Sequence, residues 1–261
     1  MNQDPSNANS LVTITDQRKA ALVEGTLVAM KRVWRHWFRA YVQATFPGCR
    51  ILSVGCGKGG ALRYFRDPRH WATGCDLDCE AVRQAASVFP VCVGDLYKLP
   101  YLSETFDFVV CDWVFEHLAH TDLALGECRR VLKPNGMMAI LTTNPHSPLG
   151  WIAKTFPRLG NQFWKRSLGI EQSLWEKGHR ENSAGFLTRY LKKRGMKRIA
   201  LYRISHMEYY FINLKLFVPI ARLLVPLVRL YDSICQLPPF SLFANAYLAL
   251  FQKSEKSPEQ S

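Results

Sequence analysis

Residues 54 to 60 read Val54-Gly55-Cys56-Gly57-Lys58-Gly59-Gly60, a turn dominated by glycine. Such a turn lets backbone amides approach a ligand closely and lets the chain take positive φ. If a helix follows, its unpaired first N–H groups face the same ligand. Gly55-x-Gly57-x-x-Gly60 satisfies the dinucleotide-binding spacing, and Asp76, at the end of the next β-rich run, is placed to grip a ribose hydroxyl. A second carboxylate, Asp95, sits in Val93-Gly94-Asp95-Leu96 after a third such run. Strand-end solvation is the plain alternative for either aspartate, but their joint placement after successive strands points to one crevice. For proton transfer the chain offers Glu116-His117, with His146 and His179 further along. Histidine titrates nearest neutrality and is the usual general base, although a lone histidine is more often structural.

The elements that must hold these groups alternate. Short β-rich runs cover Arg50–Val54, Trp71–Asp76, Val91–Val93, Phe106–Cys111 and Met137–Thr143. Helical patterns fall between them, at Gly60–Phe65, Glu80–Val88 and Thr121–Leu132, and Lys133-Pro134-Asn135-Gly136 reads as the turn into the fifth strand. Ser183–Arg194 reads as a helix capped by Gly195, followed by strands at Arg198–Ile204 and Ala246–Gln252. This alternation predicts an α/β fold, doubly wound around a mainly parallel seven-stranded sheet. Before it, Asp16–Thr45 reads as a helix ended by Pro47-Gly48. The organisation expected is a tail and helical cover over 1–49, a ligand-binding core over 50–144, an insertion over 145–182, the rest of the sheet over 183–252, and a disordered tail over 253–261.

Two stretches break the alternation. Pro145–Asn182 is polar and basic but carries Trp151, Phe156, Phe163, Trp164 and Trp175. It leaves the carboxyl end of the fifth strand, where open α/β sheets bind ligands, so a substrate lid or an ordinary surface excursion fits it. Phe211–Ile234 repeats itself, Lys215-Leu-Phe-Val-Pro-Ile-Ala then Arg222-Leu-Leu-Val-Pro-Leu-Val then Arg229-Leu, which sets three bases on one helical stripe among apolar residues. The bases and prolines argue against a transmembrane span, and Pro219 and Pro226 predict kinks or two short helices. Contact with an anionic membrane surface is one reading; a cover packed on the sheet or a dimer interface is the other.

Net charge is +13, from 34 Lys and Arg against 21 Asp and Glu. That favours an anionic partner without choosing among nucleic acid, membrane face and acidic substrate. The eight cysteines include Cys75 and Cys79 four apart, but no second pair or spaced histidine completes a metal site. Free thiols and the lack of an N-terminal apolar segment lead us to expect a reducing cytoplasm, with the inner membrane face as a peripheral location.

Further segments follow the glycine loop in order: Phe106-Asp107-Phe108-Val109-Val110-Cys111-Asp112-Trp113, Phe115-Glu116-His117-Leu118, and Arg130-Val131-Leu132-Lys133-Pro134-Asn135-Gly136. With them, the run from Ile51 to Thr143 resembles the class I S-adenosylmethionine-dependent methyltransferases, a Rossmann-like family, and especially the type 11-like group acting on small molecules and quinones. The resemblance implies S-adenosylmethionine as cofactor. It implies that Gly55, Cys56, Gly57 and Gly59 contact the methionine moiety, Asp76 the ribose hydroxyls and Leu77 the adenine. Asp95 would accept from the adenine amino group with Leu96 beside the ring. The Cys111 carbonyl and Asp112 would lie near the ammonium and sulfonium. Ser53 departs from the family, which has an acidic residue there, and Asn135 replaces a usual glycine.

The function expected is methyl transfer from S-adenosylmethionine to a small apolar or lipid-like acceptor, at oxygen. A general base helps an oxygen nucleophile; His117 is the first candidate, Glu116 an assistant, His146 and His179 the second choice. No Asn/Asp-Pro-Pro-Tyr/Phe run follows the fourth strand, which disfavours base or amide nitrogen, and no RNA-binding module accompanies the core. Two rivals stay open. One is a nicotinamide-dependent oxidoreductase; the other is a non-catalytic membrane-peripheral protein that retains the fold.

Overall fold

The computed structural model describes residues 48–155, 182–205 and 218–255. The helix expected over Asp16–Thr45, most of the aromatic insertion and the start of the Phe211–Ile234 stretch lie outside the described residues. Among those described, seven strands form one sheet: β1 (Arg50–Val54), β2 (Trp71–Asp76), β3 (Val91–Val93), β4 (Phe106–Asp112), β5 (Leu132–Thr143), β6 (Met196–Ile204) and β7 (Ala246–Lys253). Their order is β3-β2-β1-β4-β5-β7-β6. β1 to β5 pair in parallel, and β7 runs antiparallel to both neighbours. The strand order reverses between β1 and β4, so the carboxyl ends of these two strands bound the crevice where such sheets take ligands.

Parallel strands need apolar cover on both faces. Leu52, Val54, Val109, Cys111, Met138 and Ile140 are buried on one face, in one core cluster with residues of helices α2 (Thr121–Val131) and α4 (Ala184–Lys192). On the other face Ile51, Phe65 and Phe108 are buried, with the rings of Phe65 and Phe108 6.5 Å apart. Helix α1 (Cys79–Ala86) starts where it does because Asp78 accepts hydrogen bonds from the amides of Glu80 and Ala81. Ser183 caps α4 through the Phe186 amide, and Gly195 (φ 73°) ends that segment in the left-handed conformation expected of it.

Several elements differ from expectation. Gly60–Phe65 yields only a short 3-10 turn, Leu62–Phe65, because Gly59 has φ 80° and its amide is spent on the Cys56 carbonyl. Lys133–Gly136 is not a turn before the strand. β5 begins at Leu132 and absorbs those residues as an irregularity, Phe106 pairing with Leu132 and Phe108 with Met137. Asn135 takes φ 61° there, and Lys133 Nζ binds Asp107 Oδ1 at 2.8 Å. The segment Val218–Ile234 is one continuous helix, α5, with Pro226 inside it rather than two short helices. A proline removes one rung of the ladder; buried Val228 and Asp232 in α5, and Cys235 just after it, hold the helix in place. Lys253 does not belong to a disordered tail. It ends β7, with Nζ donating to the Leu132 carbonyl (2.7 Å) and pairing with Glu104 (3.1 Å).

Candidate active site

The glycine loop caps the carboxyl end of β1. Gly57 (φ 49°) donates its N–H to Asp76 Oδ2 at 2.7 Å, which ties the loop to the end of β2. Asp76 Oδ1 accepts from the Asp78 amide at 3.0 Å. A carboxylate has about four acceptor positions, so Asp76 keeps capacity for a ligand hydroxyl. A Cβ on Gly57 would meet nothing within 4 Å, so this stretch of backbone borders open space. Gly55 is glycine for another reason: a Cβ there would stand 2.5 Å from Val114 Cγ2, at φ 62°. Gly59 is similarly close to Phe89. Cys56 turns inward onto Leu62 and Phe89, and burial pushes its thiol up to about 12. Its N–H and carbonyl are already engaged with Cys75 and Gly59, so it shapes the loop. Leu77 stands 71% exposed beside Asp76.

Asp95 is exposed at the same edge, and its Oδ1 accepts from the Tyr97 amide at 2.8 Å. Leu96, expected beside an adenine ring from the resemblance, is buried in the main core cluster. What fixes the loop carrying Asp95 is a clamp on α2. Arg130 donates to the carbonyls of Leu99 (3.0 Å) and Tyr101 (2.8 Å) and pairs with Glu127, while Glu127 Oε2 accepts from the Leu99 amide. That pairing holds the Glu127 carboxyl below its ordinary value. The Arg130 segment, read as a motif, is thus a positioning device.

Beyond β4 the chain makes a sharp exit. Asp112, half-buried, pairs with Leu141 in register, and Trp113 follows with φ 61°. A bulky residue in that region is strained and persists only where the surroundings over-determine it. The Trp113 amide donates to the Leu141 carbonyl at 2.9 Å, and Val114 then lies over Gly55. The Cys111 side chain points into the core, 3.9 Å from Cys128 Sγ.

The 3-10 turn Phe115–His117 buries Glu116 and leaves His117 half-buried. Glu116 Oε2 accepts from Thr142 Oγ1 at 2.8 Å. Burial pushes its carboxyl up to about 7; the hydrogen bond from Thr142 pulls it back, and the charge of Asp112 adds to the rise. Asn182 Nδ2 reaches Thr142 Oγ1 at 3.4 Å, and the Tyr247 hydroxyl donates to the Asn182 carbonyl. His146 is exposed, its amide on Asn144 Oδ1. His179 lies outside the described residues. Glu116 and His117 thus stand in the turn that follows β4, Glu116 buried and His117 half-buried, and His146 is on the surface. Trp113, Thr142, Asn182 and Tyr247 carried no local signal in the sequence.

Residues 52–140, from β1 through most of β5, match the methyltransferase domain family. The match includes the Arg130–Gly136 segment. A ubiquinone/menaquinone biosynthesis C-methyltransferase UbiE of Laribacter hongkongensis is 28% identical over 122 residues, 43% of this chain and 50% of its own length. A phthiotriol/phenolphthiotriol dimycocerosates methyltransferase of Mycobacterium leprae is 33% identical over 122 residues, 44% of this chain and 45% of its own length. The chain thus spans about half the length of these relatives. Among solved structures, the [4+2]-cyclase SpnF shares the fold with a TM-score of 0.55 at 20% identity, over 85% of this chain and 81% of its own. One fold hosts different chemistries, so the reaction must be argued from the site.

Proposed function

We propose that the chain transfers the methyl group of S-adenosylmethionine to an apolar, lipid-like acceptor. The observation that carries this reading is the cradle at the sheet edge: Gly57 held on Asp76, with open space where its side chain would be. Two further features fit such a ligand. Leu77 is bare beside Asp76. Ser53 Oγ is buried, with no partner among the described residues, where the family carries an acid. A hydroxyl there has capacity to take one N–H of an ammonium.

In this reading Asp76 holds the ribose, Leu77 and Asp95 the adenine edge, and Ser53, Gly55, Gly57 and Asp112 the amino-acid end. Leu96 supports from behind. S-adenosylmethionine supplies an activated methyl group when bound. The protein aligns the acceptor atom in line with that methyl and keeps water away. The acceptor atom would take that methyl, leaving the bond's electron pair on sulfur, and would give up a proton. Glu116 and His117 are the groups we propose to receive that proton, a reading supported by the Glu116 carboxyl, which burial raises to about 7. Oxygen is the acceptor atom we favour. Carbon is the second reading, because the Laribacter relative is by name a C-methyltransferase. The names of both relatives support a lipid-like acceptor, and such a molecule resides at a membrane, the surface read from the 211–234 stretch.

Calorimetric titration with S-adenosylhomocysteine tests the cofactor half, with NADH in parallel. We expect micromolar binding of the first alone. Asp76→Ala should weaken it by about tenfold or more, the scale of hydrogen bonds to a charged group, with Asp76→Asn intermediate. Absence of binding by the parent chain would overturn the reading and leave a non-catalytic protein that kept the fold.

A further inference from the structure

Helix α5 presents two different stripes. Val228 and Asp232 of α5 are buried, as is Cys235 just beyond its end, and the Ser205 hydroxyl at the end of β6 donates to the Asp232 carboxylate. This fixes the rotation of the helix. Leu227, Leu230 and Ile234 recur at helical spacing on another face and are exposed, Leu227 by 63%. The chain then continues through Leu237, 60% exposed, into the 3-10 turn Phe240–Phe243, where Phe240, Leu242 and Phe243 are exposed as well. Tyr231 donates its hydroxyl to the Phe243 carbonyl, so helix and turn form one continuous surface. Trp151 of α3 (Pro148–Thr155), 58% exposed, meets Phe243 edge-on at 6.4 Å. An apolar surface of this extent marks an interaction site.

Its charge is one-sided. From residue 209 to 252 the sole acid is Asp232, which is buried, while Lys215, Arg222 and Arg229 recur through the same stretch. Arg229 is exposed on α5. A second copy of the chain seated here would bring Arg229 of each copy towards a like charge, whereas an anionic lipid surface complements both the exposed leucines and Arg229. No helix among the described residues is long and apolar enough to cross a membrane. The surface is also tied to the carboxyl end of β5, the neighbour of β4: Asn144, next after β5, donates from Nδ2 to the carbonyls of Leu242 (2.8 Å) and Ala244 (2.7 Å).

We infer that α5, the segment Leu237–Phe243 and Trp151 dock on an anionic lipid bilayer and hold the rim of the active site against it. The inference rests on the lipid-like acceptor proposed above and names the surface that supplies it. The contact centres on residues 227–243, further along than the basic repeat alone suggests.

The test is flotation of the full chain with vesicles of phosphatidylglycerol and phosphatidylcholine, and with phosphatidylcholine vesicles alone. The parent should float with the anionic vesicles. Leu237→Glu with Phe240→Glu should cut the bound fraction by about tenfold or more, and Arg229→Glu by a smaller, salt-sensitive factor. Both residues of the double variant are exposed, so its melting temperature and its affinity for S-adenosylhomocysteine should match the parent. Vesicle binding that persists in the double variant would overturn the assignment. So would a parent that binds S-adenosylhomocysteine but no vesicles, which leaves the methyl-transfer reading intact. A dimer in light scattering that the double variant dissolves, without vesicle binding, would give the surface to a second copy and also overturn the proposal. Vesicle binding without S-adenosylhomocysteine binding would support the surface and overturn the methyl-transfer reading.

Discussion

Glu116→Gln should make the protein more stable in mild alkali while leaving it nearly unchanged in mild acid. In the folded chain burial raises this carboxyl from the ordinary 4.5 to about 7. Between those values the folded state keeps its proton and the unfolded state has lost it. The folded state is therefore favoured fully below about 4.5, loses that advantage as pH rises, and has lost all of it above about 7. The separation corresponds to about 3 kcal/mol in full, and to about 2 to 3 kcal/mol between pH 5 and pH 8. Glutamine keeps the shape and still accepts from Thr142 Oγ1 through its amide oxygen, so the packing is retained. Urea unfolding of both proteins at pH 5 and pH 8 reads the difference directly. With a slope of roughly 2 to 3 kcal/mol/M for a chain of this size, the midpoint of the variant should gain about 1 M on the parent over that range. Parallel pH profiles for the two proteins would refute the claim that Glu116 is buried and neutral. If Glu116 also takes the acceptor's proton, the variant's turnover should lose its rise through pH 7.

Two further substitutions test the loop from opposite sides. Ser53→Ala removes a buried hydroxyl with no described partner, so the melting temperature should hold or rise while affinity for S-adenosylhomocysteine falls by about three- to tenfold; unchanged affinity in calorimetry would remove Ser53 from the site. Gly55→Ala places a methyl 2.5 Å from Val114 at φ 62° and should cost about 1 to 3 kcal/mol in urea unfolding, partly recovered by adding Val114→Ala; a Gly55→Ala protein as stable as the parent would refute the contact.

The order of the elements was legible because it is written locally. β1, β2 and β3 have the expected bounds, since each is a short apolar run closed by glycine, proline or a charged residue. The nearness of the glycine loop and Asp76 was legible because both follow neighbouring strands that pair in parallel, Val54 beside Cys75, whereas the Gly57–Asp76 hydrogen bond itself was not. The acid–base part was not legible. Glu116 owes its raised carboxyl to burial, against which the hydrogen bond from Thr142 works, and Thr142, Asn182 and Tyr247 come beside it only through the tertiary fold. Such contacts leave no periodicity in the chain. Leu96 was expected beside the adenine from a family position alone, and the structure adds that its side chain joins the core cluster with Leu99. The bulge in β5 escaped because Lys133-Pro134-Asn135-Gly136 has turn chemistry, which a strand can also absorb when Lys133 finds Asp107 and Asn135 adopts positive φ.

The place of β7 has a consequence for the order of assembly. Chains are made from the amino end, and this strand inserts between β5 and β6, so β6 has no partner in the sheet until β7 has left the ribosome. The glycine loop, β1, β2 and β4 are complete long before that. Tyr247, which backs Asn182, and Ala244, which anchors Asn144, arrive together with β7. A nascent chain could thus present its donor-binding edge early, while the wall behind Glu116 and the apolar turn beside it close only at the end of synthesis. On the methyl-transfer reading the acceptor side matures last, after the edge that binds the donor.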